Sequence, residues 1–181
     1  MLNKISFILL TFGLCGMVQG SALSDLSQNS NSSVKNLLGI YCMVESVLNL
    51  EDSADEFSYQ VSKRCGPEAT ANLTKELSDA SELMQITSNV TDINDKVCEN
   101  ADFNLNTDSD KQPSDDCANQ LKNEMASLNT SYRKTRTDIN KGIQQPYGAP
   151  ACVQMARKNF KFLLSIFPLR IEACAKLVST V

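Results

Sequence analysis

The sequence contains no histidine and no tryptophan. Without an imidazole, hydrolytic triads and most proton-relay chemistry lose their usual base. Zinc loses its usual nitrogen ligand, and no two of the seven cysteines lie within four residues of each other, so the thiol spacing of a zinc site is missing as well. A long apolar run is also lacking beyond the first residues. The most apolar later stretch, Phe162 to Leu169, falls well short of the ~20 residues a spanning helix needs and is broken by Ser165 and Pro168. No segment alternates with period two over five residues, which removes the strand signal. We therefore expect no enzyme, no metal or cofactor, and no membrane span.

What is present begins with a leader. Lys4 precedes an apolar run from Ile5 to Leu14, and small residues follow at Val18, Gly20 and Ala22, so residues 1–20 read as a signal peptide. The expected location is secreted and extracellular. Residues 21–33 are rich in Ser and Asn and read as a disordered lead-in. Residues 34–181 read as a single disulfide-stapled helical domain. Loss of Cys15 with the leader leaves Cys42, Cys65, Cys98, Cys117, Cys152 and Cys174, an even set that argues for three disulfides in an exported chain.

The helical pattern is legible by period. Leu37, Leu38, Tyr41, Val44, Val47 and Leu48 open the first helix, and Phe57 and Val61 mark a second short piece over 54–64. Gly66-Pro67 starts a long helix whose stripe runs Leu73, Leu77, Ala80, Met84 and Thr87, then rotates through Ile86, Val90, Ile93 and Val97. This predicts a bend or restart near Ser88. Ser114 caps the next helix, with Leu121, Met125, Leu128, Tyr132, Thr135 and Ile139 on one face. The last helix starts near Ala151, carries Cys152, Met155 or Ala156, Phe160, Leu163 and Phe167 on its apolar side, and should kink at Pro168. Met84, Met125, Met155, Phe160 and Phe167 are read as core. The fold class is all-α, an antiparallel helical bundle built on a long helical hairpin.

Charge is unevenly placed. Residues 45–116 balance to −12 and residues 117–181 to +7. The two halves are expected to pack together and neutralise each other. The sharper alternative is a basic face for an anionic partner, made of Arg133, Lys134, Arg136, Lys141, Arg157, Lys158 and Lys161. An acidic exported chain without aromatic residues between those bases does not suit nucleic acid. Glu51, Asp52, Asp55 and Glu56 read as a solvated helix start rather than an acid–base pair. Asn104, Asn106, Asp108, Asp110 and Asp115 follow a calcium-hand register, but Ser109 replaces its glycine and Asp115 its glutamate, so an ordinary polar loop is expected. Four glycosylation sequons stand at Asn31, Asn72, Asn89 and Asn129.

The cysteine separations are 23, 33, 19, 35 and 22 residues, nearly a palindrome about the Cys98–Cys117 loop. Six cysteines allow fifteen pairings. Two helical legs of nearly equal length, about 50 Å each, would bring Cys98 to Cys117 at one end and Cys65 to Cys152 at the other. If the outer segments fold back alike, Cys42 meets Cys174.

With this layout, and with Tyr41-Cys42, Phe57-Ser58-Tyr59-Gln60 before Cys65, Ile93 to Cys98, Ile139-Asn140-Lys141-Gly142-Ile143 leading to Cys152, and Glu172-Ala173-Cys174, the chain resembles the tsetse EP-domain family of insect secreted proteins. The likeness runs from about Tyr41 to Leu177. It implies a secreted protein with gut or immune associations. Two functional classes stand open: a non-enzymatic binding or host-defence component of gut or body fluid, acting through its surface or an apolar-ligand pocket, and a cytokine-like helical signal read by a protein receptor.

Peptide mapping of the unreduced protein should recover Cys42–Cys174, Cys65–Cys152 and Cys98–Cys117. A Cys42–Cys65 peptide would defeat the nested arrangement.

Overall fold

The structure, a computed structural model, describes residues 26–144 and 149–178. The expected signal peptide and residues 21–25 lie outside the described residues. The described residues form helices and no strand: α1 (residues 26–33), α2 (Leu37–Tyr59), α3 (Pro67–Asn72), α4 (Thr74–Lys96), α5 (Leu105–Asp108), α6 (Asp115–Gln144) and α7 (Ala151–Val178). Four of them, α2, α4, α6 and α7, make the bundle.

Packing runs round a ring, with α2 against α4 and α7, and α6 against α4 and α7. Disulfides join Cys42 to Cys174, Cys65 to Cys152 and Cys98 to Cys117, with Cα separations of 5.5, 5.7 and 4.9 Å. The start of α2 therefore meets the end of α7, the end of α2 meets the start of α7, and α4 hands over to α6 across Cys98–Cys117. Every helix of the ring is antiparallel to the one before it, the up-down-up-down order of a simple four-helix bundle. Two clasps close the end that holds Cys42, and one closes the other.

The α6 stripe packs as its period requires, with Leu121, Met125, Leu128, Tyr132, Thr135 and Ile139 all buried. Ser114 Oγ accepts from the Cys117 amide at 3.2 Å and starts the helix. Phe57 of α2 stacks on Phe160 of α7 at 4.8 Å between ring centres, and Tyr132 of α6 lies 5.5 Å from Phe167 of α7. The rings thus bridge α7 to both neighbours.

Several expectations are corrected. Residues 26–33 are helical rather than a disordered lead-in. Leu26 and Val34 are buried in the core, and the serines hide their hydroxyls by donating back along the helix, Ser30 to Leu26 O at 2.8 Å and Ser33 to Asn29 O at 3.0 Å. Gly39 makes this docking fit, because a Cβ there would collide with the Ser33 carbonyl oxygen and with Val178. The two pieces expected over 34–64 are one helix, extended by a π-helical turn at Gln60–Arg64 that buries Val61 and carries the chain to Cys65. The restart expected near Ser88 falls instead at Leu73, between α3 and α4. Gly66, at φ 88°, makes the turn into Pro67.

As the sequence led us to expect, the last helix runs on past Pro168. Proline has no N–H, so the Leu164 carbonyl four residues earlier loses its partner within the helix. Tyr132 Oη of α6 donates to that carbonyl at 2.9 Å. The pair is buried, and burial raises the Tyr132 pKa, keeping the phenol protonated as a donor. Tyr132→Phe should cost about 1–3 kcal/mol by leaving a buried carbonyl unpaired. In a Pro168→Ala background, where residue 168 can supply the amide, the same change should cost less; equal costs in urea denaturation would refute this division of labour.

Candidate functional site

Charge pairing between α4 and the last two helices organises one side of the bundle. Glu76 of α4 and Arg157 of α7 are both nearly buried. Their contact is bidentate, Arg157 Nη2 to Glu76 Oε1 at 2.6 Å and Nε to Oε2 at 2.9 Å. Arg157 Nη1 also donates to the Gly142 carbonyl of α6 at 3.0 Å, so one guanidinium ties three helices. A Cβ at Gly142 would stand 2.6 Å from Arg157 Nε and 2.8 Å from Glu76 Oε1, and glycine is required for the guanidinium to lie there.

A second group lies along the α4–α6 seam. Asp79 is 2 % exposed and sits between Lys134 Nζ at 3.0 Å and Lys75 Nζ at 3.4 Å. Lys134 also reaches Glu82 at 2.7 Å, and Lys75 pairs with Asp138. The hydrogen bond to Glu82, then that to Asp79, raises the Lys134 pKa above its ordinary value. Lys75 holds the Asp138 carboxyl below the usual carboxylate range. The acidic first half and the basic second half thus neutralise each other along these seams. Of the expected basic face, Arg157 turns inward to Glu76, while Lys134 and Lys141 stay exposed in ion pairs with Asp79, Glu82 and Asp138. Lys158 and Lys161 stay on the exposed side of α7.

Other candidate residues are dispersed. Glu51, Asp52, Asp55 and Glu56, expected at a helix start, lie instead in the second half of α2, because that helix runs unbroken from Leu37. The calcium-like register folds as an ordinary capped turn, in which Asn104 Oδ1 accepts from the Asn106 amide and Asp108 accepts from Lys111 Nζ at 2.6 Å. No group of three or more potential metal ligands occurs among the described residues. Among the sequons, Asn31, Asn72 and Asn89 are exposed, with Asn89 donating to Glu124 at 2.9 Å. Asn129 is half-buried, and its side-chain oxygen is buried without a hydrogen-bond partner, so it presents the least accessible acceptor.

The outer face of α7 is where expectation and structure differ most. Met155, read as core, is 63 % exposed, and Leu163 is 38 % exposed; Val153, Ala156, Phe160, Leu164 and Phe167 take the inward places. Phe162 and Leu169 are exposed to a similar degree as Met155. Shallow concavities border this helix. A groove of about 200 Å³ lies between α2 and α7 over Leu50, Phe167 and Arg170, with Asp52 and Glu56 on its far wall. Another lies beside Cys65–Cys152, lined by Arg64, Met155 and Asn159.

Glu76→Ala should destabilise the fold by about 3–5 kcal/mol, because Arg157 is left buried and unpaired. The double change Glu76→Leu with Arg157→Met should recover most of that loss in denaturant titrations; a double variant no better than the single would show that the pair is not what couples the helices. Comparison with known proteins gives no matching family model, no matching curated protein and no matching solved structure.

Proposed function

We propose that this chain is a secreted, non-enzymatic binding protein of gut or body fluid, working in host defence through its outer surface. The carrying observation is the division of apolar side chains: the interior is filled by residues such as Met125, Phe160 and Phe167, while Met155, Phe162 and Leu169 stand outward on α7. The described core is filled by side chains, and these three large apolar groups stand on the surface where a partner can reach them. The three clasps suit an oxidising, protease-rich fluid. The resemblance to the tsetse EP-domain family supports the same reading. The cytokine-like alternative is disfavoured by connectivity, since cytokine bundles run up-up-down-down with long crossovers and this bundle alternates at every step.

Transcript abundance by tissue, paired with immunodetection in lumen or body fluid, tests the proposal. High expression in a fluid-lining or immune tissue, with the oxidised protein outside cells, is the expected result. Retention inside cells, or saturable high-affinity binding to a cell receptor, would replace it with the alternative.

A further inference from the structure

Met155, Phe162 and Leu169 are seven residues apart and 63, 64 and 62 % exposed. In a helix that spacing drifts by only ~20° per step, so the three side chains form one straight outward ridge on α7. Lys158 and Lys161 stand exposed beside it, on the flank toward α6. The one acid of α7, Glu172, is neutralised by Lys176 at 2.6 Å.

The neighbouring flank of α6 continues the basic character. Lys134 and Asp138 mark the side of α6 that faces α4. Lys122 and Arg136, two heptads apart, fall on the side toward α7. Acids collect elsewhere: Asp52 and Glu56 line the α2 side of the groove that Arg170 enters. One long side of the bundle is thus an apolar ridge with bases along it, and the α2 side is acidic.

We propose that the α7 ridge and its α6-side bases dock the protein on an anionic lipid surface, with the bundle lying along the membrane. Charge complementarity selects this occupant. Anionic headgroups attract the α6–α7 side and repel α2, which sets the orientation, while Met155, Phe162 and Leu169 enter the interface as apolar anchors. A single ridge is narrow for a stable interface with a second copy, which needs about 1,000 Å². The proposal deepens the surface-acting reading above and rests on it for the role of α7.

The test is co-sedimentation of the full secreted chain, disulfides intact, with phosphatidylcholine vesicles and with vesicles holding about 30 % phosphatidylglycerol. The bound fraction should rise about tenfold on the anionic vesicles and fall steeply with added salt. Phe162→Ser with Leu169→Ser should lower binding about tenfold, and Lys158→Glu with Lys161→Glu should lower it and weaken the salt dependence, with circular dichroism unchanged in both. If the apolar pair unfolds the chain, the lysine pair alone decides. Equal binding to both vesicle types, variants that bind like the parent, or self-association in solution that Phe162→Ser abolishes would each overturn the proposal. None of those results bears on whether the protein occurs in body fluid, which tissue and fluid detection decides separately.

Discussion

One buried guanidinium sets much of the arrangement. Arg157 satisfies its charge only where Glu76 of α4 and the Gly142 carbonyl of α6 meet it, so α4, α6 and α7 share a register. A charge pair of this kind contributes little net stability, because desolvation offsets most of the attraction. Its effect is on alternatives. Sliding α7 by a turn would strand Arg157 in an apolar environment, and an apolar core alone would tolerate that slip far better. Gly142 belongs to the same constraint, since any side chain there would occupy the space of the guanidinium.

The disulfides act on a different quantity. They limit the unfolded chain, by about 2–4 kcal/mol each, and two of them tie α7 to α2 while the third closes the α4–α6 loop. None joins α4 to α2 or α6 to α7. At the α6–α7 seam, side-chain contacts take that place, among them Arg157 with Gly142 and Tyr132 with the carbonyl that Pro168 leaves open. Covalent and non-covalent fastening therefore complement each other around the ring. With its inner face held by both means, α7 can carry an exposed apolar ridge without depending on that ridge for folding.

The α6 stripe, the Ser114 cap, the all-helical class and the near-palindromic cysteine spacing were readable along the chain because each rests on local periodicity or on distance counted in residues. Less readable was anything that depends on which of two adjacent apolar residues turns inward. Met155 and Ala156 differ by 100° on the helix, and only the seat offered by α2 and α6 selects Ala156. The serine-rich approach misled for a related reason: its polarity is consumed within its own helix, and two apolar residues, Leu26 and Val34, suffice to dock it once a partner surface exists.

The sequence by itself determined the all-helical class, the α6 stripe and the charge division between the two halves, since these follow from residue type and spacing. Tertiary structure alone decided that Arg157 and Lys134 pair with acids of α4 while Lys158 and Lys161 remain outside, that Tyr132 takes up the carbonyl Pro168 leaves open, and that Met155, Phe162 and Leu169 form an outward ridge. The physical reason is common to all three. Burial, pairing and exposure are relations between segments distant in the chain, and they exist only once packing has brought α4, α6 and α7 together.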